Sequence, residues 1–201
     1  AVTPESGIDK YRTEIANIEQ QFGPYHLSIS ENALGLGTLL QEQGDLQGVL
    51  AAFEQSMHVL RVNQGLFSLD QLPMLEAMIN CNIELGDMAS ANDLQEAALN
   101  LQRKNFGGDT LELVPALLAW GDWNLNLYLV NEKRHPGLQT ADNNPVQVIT
   151  TVDSPVLELA YSSYSSALDS LQNHAAVTDE RLVTTERKLA ALNFIVNRKM
   201  H

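Results

Sequence analysis

Five histidines, one cysteine and 25 carboxylates are the side chains of this 201-residue chain that could do chemistry. His26, His58, His135, His174 and His201 show no His-x-x-x-His spacing. No pair of them would put two metal ligands on one helical face. Cys81 stands alone, so neither an intramolecular disulfide nor a four-cysteine metal site can form. It falls inside a helical apolar pattern with no histidine or base set beside it by a motif, which reads as a buried thiol rather than a nucleophile. Gly35 and Gly37 also lie within a helical pattern, where close helix packing accounts for them better than a phosphate loop does. No two carboxylates are singled out for acid–base work. The expectation is a non-enzyme with no catalytic residues, no metal and no cofactor.

Charge narrows the partners. With 25 acids against 12 bases the net charge is −13. Such a surface repels phosphate and argues against nucleic acid or an anionic bilayer. A basic partner surface suits it, and so does the simpler reading that acidity keeps the chain in solution. Hydrophobic residues make up 44% of the sequence, enough for a sizeable core. The apolar runs are short and interrupted, so no membrane-spanning helix is expected. The first residues, Ala1-Val2-Thr3-Pro4, fit either a mature chain after signal removal, hence an exported or periplasmic protein, or a trimmed boundary. A cytoplasmic location stays open.

The elements repeat. Gly23, Gly65 and Gly107 are spaced by 42 residues, as are Gly44-Asp45 and Gly86-Asp87. Each glycine follows an apolar segment of helical period, where a left-handed cap is needed. Between them the steps of 3 and 4 are plain. One stripe is Ile8, Tyr11, Ile15, Ile18 and Phe22; the next is Ile29, Ala33, Leu36 and Leu40. Val49, Phe53, Met57 and Leu60 follow, then Leu75, Met78, Ile79 and Ile83, then Ala91, Leu94, Ala98 and Leu101. Ser68 with Gln71, and Asp109 with Glu112, have capping-box spacing. Thr3-Pro4 and Ser154-Pro155 put a capping residue before proline at a helix start.

This pattern resembles the tetratricopeptide repeat. Gly37 in the first helix of a pair, Gly44-Asp45 at the turn, and Val49, Phe53 and Ser56 in the second helix match its small, turn and aromatic positions. Gly86-Asp87, Ala91 and Ala98 repeat them, with Gln95 departing from the aromatic. The 42-residue period is longer than the usual repeat and resembles the kinesin-light-chain variety. Residues 24–128, notably the stretch from His58 to Ile79 and Leu117–Trp123, are also similar to exported gammaproteobacterial tetratricopeptide proteins. The resemblance implies an all-α fold, a right-handed α-α superhelix of about eight helices in one domain. Its parts would be an N-terminal helix at 3–23, repeats at 25–65 and 67–107, a third at 109–176, and a capping helix at 178–200. The third repeat is split by an insertion at 131–153: Ala160 stands 27 residues later than the register puts it.

In this family the first helix of each pair lines the concave face. Its groove positions map onto Glu31, Leu34, Thr38 and Gln41, then Glu76, Asn80 and Ile83, then Leu118, Asp122 and Leu125. Trp120 and Trp123 flank Gly121 and Asp122; both suit anchors of a contact, Trp123 standing with the groove set, and core packing is expected for at least one of them. Tyr128, Tyr161 and Tyr164 read as packing residues with polar tips. No Lys or Arg stands at the mapped positions, so a clamp for a carboxylate terminus is not expected. A basic or apolar protein or peptide segment fits better. The insertion, with Lys133, Arg134 and His135 and with alternating Val146, Val148 and Thr150, either folds over the groove, offers an edge, or is disordered. Three readings result: a peptide-binding adaptor or scaffold; a structural subunit that self-associates as a homo-oligomer; and an enzyme with a site formed by the insertion.

Overall fold

The computed structural model describes the backbone of residues 4–134 and 155–198, and side chains over 7–130 and 155–197. Among the described residues there are eight α-helices and no strand. They are α1 (Pro4–Phe22), α2 (Leu27–Glu42), α3 (Leu46–Gln64), α4 (Leu72–Leu85), α5 (Met88–Phe106), α6 (Val114–Arg134), α7 (Pro155–His174) and α8 (Glu180–Arg198). A short 3₁₀ turn, Leu69–Gln71, leads into α4. The all-α expectation and the helix count hold. The expected insertion lies outside the described residues except for its first four, which continue α6 to Arg134. His135, Val146, Val148 and Thr150 are outside them. No described helix is long and apolar enough to cross a membrane.

The chain divides into two compact units, Ala1–Asn105 and Phe106–His201. In the first, α1 packs on α2, α2 on α3 and α3 on α4. One cluster joins Ile8, Ile15 and Ile18 of α1 to Ile29, Ala33, Leu36 and Leu40 of α2, and to Phe53, Met57 and Leu60 of α3. Met74, Leu75 and Met78 of α4, with Ala98 and Leu101 of α5, complete it. Two stripe residues are exposed. Phe22 is 58% exposed, because α1 ends there; its ring lies 4.8 Å from that of His26. Ile83, which fits both the buried stripe and the groove series, is on the exposed side of α4.

Local chemistry sets the turns. Among the described residues, every glycine with positive φ belongs to the 42-residue series: Gly23, Gly65 and Gly107, and Gly44 and Gly86. Gly86 closes α4 in the left-handed conformation, at φ 79° and ψ 7°. The aspartates that follow cap the next helices. Asp45 Oδ1 accepts from Gly48 N at 3.0 Å, and Asp87 Oδ1 from Ser90 N at 3.1 Å; such caps contribute about 1 kcal/mol each. A second contact recurs at the same period. Asn63 Nδ2 donates to Tyr25 O at 2.8 Å and Asn105 Nδ2 to Phe67 O at 2.8 Å, the same bond 42 residues on. Each asparagine ties the end of one helix to the preceding inter-hairpin loop.

The two expected capping boxes do not form. Gln71 is buried; its Nε2 donates to Leu66 O and Ser68 O, and its Oε1 accepts from Arg61 Nε at 2.7 Å. Asp109 is taken by α7, where Asn173 Nδ2 and His174 Nε2 each approach it at 3.3 Å. Asp109 takes partners distant in sequence, and Gln71 divides its amide between nearby carbonyls and Arg61.

In the second unit α6 packs on α7 and α7 on α8. Gly121 of α6 faces the ring of Tyr164, so closely that a Cβ there would lie 2.4 Å from it. Ala160, Tyr164 and Leu192 form a cluster on which Leu118, Leu125, Leu189 and Val196 pack. Asp179 starts α8: its Oδ1 accepts from Arg181 N at 2.9 Å, and its carboxylate grips the Arg181 guanidinium at 2.7 Å. The arginine's hydrogen bonds hold the Asp179 carboxyl down at about 2.

Two outcomes follow. Gly121→Ala should destabilise the protein by about 1–3 kcal/mol in denaturant unfolding, despite alanine's better helix propensity, because the buried Tyr164 ring must shift. Asp179→Asn should unfold more easily than the wild type at neutral pH. The folded-state value is depressed, so the contribution is present above the ordinary carboxylate range near 4. It is lost as pH falls through about 2. Thermal midpoints of the two proteins should therefore converge at the acid end.

Candidate functional site

The series on α2 and α4 is open to solvent. Glu31, Thr38 and Gln41 are exposed, with Leu34 at 40%. Glu76 and Asn80 are exposed on α4, with Ile83 also at 40%. Steps of 3 or 4 place each set on one side of its helix. Thr38 spends its hydroxyl on Leu34 O at 2.9 Å; the other side chains of these two rows make no hydrogen bond or ion pair among the described residues. Each row is a polar strip carrying one carboxylate and one half-exposed aliphatic residue.

The α6 positions differ. Leu118 is half-buried against the Ala160–Tyr164–Leu192 cluster. Asp122 Oδ1 accepts the Tyr164 hydroxyl at 2.6 Å and pairs with Lys188 Nζ of α8. Lys188 also lies 5.5 Å from the Tyr164 ring centroid. Burial and the Asp122 carboxylate push the Tyr164 phenol well above its ordinary range, so the residue stays a neutral donor. Asp122 therefore joins three helices of its unit. Sequence reading missed Lys188, which is 66 residues away and carries no motif. Trp120 is buried and Trp123 half-buried. Tyr128 and Tyr164 are buried as expected, whereas Tyr161 is 46% exposed, a correction: it stands on the outward side of α7.

Two groupings invite a test for chemistry. Cys81 is 1% exposed, and burial followed by the Glu84 charge raises its thiol above the usual range. Asp109 gathers Ser170, Asn173 and His174, whose hydrogen bonds lower its carboxyl, Ser170 contributing most. Serine and histidine both serve the aspartate there, with no bond between them, so the order of a nucleophilic relay is absent from this cluster. Among the described residues no three metal-binding side chains converge.

The first unit also holds a groove of about 630 Å³ between α3, α4 and α5. Its apolar lining includes Leu50, Leu85 and Leu94, and its carboxylates are Glu54, Asp87 and Asp93. Asn82 lines it too; only 6% exposed, it gives its Nδ2 to Met78 O at 2.8 Å. No cation lines the groove. Sequence reading did not single it out, because its residues come from three helices without shared spacing.

No known family model matches the sequence, and no curated protein matches it.

Cys81 offers a direct check on its environment. A thiol reagent should leave it unmodified in the native protein and label it fully once denaturant is added; fast labelling of the native state would place it elsewhere.

Proposed function

We propose that this chain is a non-catalytic scaffold of the tetratricopeptide type, in the 42-residue variety, that binds a protein or peptide segment across the exposed rows of α2 and α4. The observation that supports it best is the recurrence of one contact in space at that period, the asparagine-to-loop bond of Asn63 and Asn105. Two successive hairpins built alike present two alike rows, which is how a repeat protein makes an extended recognition strip. Carboxylates Glu31 and Glu76 and aliphatics Leu34 and Ile83 on those rows favour a segment that is basic or apolar. The exposed amide of Asn80 suits a hydrogen bond to a peptide backbone. An exported location belongs to the same reading and rests on the resemblance over residues 24–128.

The test begins with a pull-down by the full-length tagged chain from its source cell, followed by titration of the recovered partner. Glu31→Ala combined with Asn80→Ala should weaken binding by about tenfold or more, with helicity by circular dichroism unchanged. Equal affinity for wild type and variant would overturn the assignment to these rows.

A further inference from the structure

The ends of α3 and α5 carry opposite chemistry. At their N-terminal ends is the groove with Glu54, Asp87 and Asp93 over Leu50, Leu85 and Leu94. At their C-terminal ends is an exposed apolar edge: Val62, Leu66 and Phe67 are 54%, 67% and 53% exposed, with Tyr25 beside them at 49%. Cations frame that edge. Lys104 Nζ lies 5.9 Å from the Phe67 ring centroid, Arg103 is its exposed neighbour, and Arg61 is held by Gln71 at the base of the Leu66 loop. Asp70 is the one acid in the loop from Gly65 to Gln71. From Leu50 to Val62 is 12 residues along α3, a separation of about 18 Å.

We infer that the cationic apolar edge of one copy of this chain docks in the acidic apolar groove of a second copy. Charge complementarity selects this occupant: three carboxylates and no cation line the groove, and three cations frame the edge. Apolar side chains are exposed on both faces, so the contact would bury aliphatic and aromatic surface as well as pair charge. Because the two faces differ, the contact is heterologous; copies add head to tail instead of closing as a two-fold dimer. The contact uses neither Glu31 nor Asn80, so it stands or falls apart from the α2–α4 reading.

The experiment is sedimentation of the full chain across a concentration series up to about 1 mM, the weak end of specific association. At low salt the average mass should rise with concentration and pass beyond the dimer. It should fall back in about 1 M sodium chloride, where the Debye length is about 3 Å. Glu54→Lys with Asp93→Lys reverses the groove without touching the Asp87 cap, and Arg103→Glu with Lys104→Glu reverses the edge. Each pair alone should weaken association by about tenfold or more. Mixing the two variants should restore it, because each reversed face then meets a complementary one. A wild type that stays monomeric throughout overturns the inference. So does association indifferent to both reversals, or a mixture no stronger than its components. If circular dichroism shows that a reversal has cost helicity, the milder pairs Glu54→Gln with Asp93→Asn and Arg103→Gln with Lys104→Gln take its place. Association unchanged by both of these would also overturn it.

Discussion

The helices approach one another where an aromatic ring occupies the space a side chain would need. Gly37 lies against Phe53 and Gly121 against Tyr164; a Cβ at either glycine would stand 2.4 Å from the ring. Tyr11 meets Gly35 in a related way. Bare backbone on one helix and a flat ring on the next permit a close approach, and close-packed interiors leave neither much room to adjust. In the intervening pair the equivalent positions are Ile79 and Gln95. An aliphatic side chain there supplies the volume on the first helix, and the second has no aromatic to accommodate.

That approach determines which polar groups come within reach. The Tyr164 ring crosses α6 with its hydroxyl at Asp122, and Asp122 also draws in Lys188 from α8. A carboxylate in the groove series of its helix thus becomes a junction of its own unit, whereas Glu31 and Glu76 stay in solvent. In the first unit the buried Ser56 hydroxyl donates to Ser30 O at 3.0 Å, joining α2 to α3 beneath the exposed row. The rows on α2 and α4 are what the packing leaves over once each helix has committed its apolar side.

Charge is distributed unevenly within the first unit. Asp45 and Asp87 cap helix N-termini, where carboxylates interact well with the helix dipole. Arg61, Arg103 and Lys104 sit in last turns, where cations do. The same preference, met in α3 and again in α5, gathers acids at one end of these helices and bases at the other. An arrangement that begins as local helix stabilisation becomes a polarity of the surface.

Much of this was legible along the chain. The helices, the left-handed glycines 42 residues apart and the Gly-Asp turns are local constraints, met by the residue and its near neighbours, so order in the sequence reveals them. The apolar stripes told which side of each helix is covered, apart from Phe22 and Ile83, where a helix end or a second possible face left the choice to packing. Asp109 and Gln71 show the limit: each stood at capping-box spacing, yet Asp109 is held by Asn173 of α7, and Gln71 by Arg61 as well as by nearby carbonyls. The Asp122–Tyr164–Lys188 junction and the acidic groove draw on residues from three helices, related by position in space and not by interval. Sequence by itself therefore determined the helices, their period and their ends, since those energies are local. Tertiary structure alone decided which polar groups are consumed inside the fold and which remain for a partner, because that depends on what each side chain meets across the gap between helices.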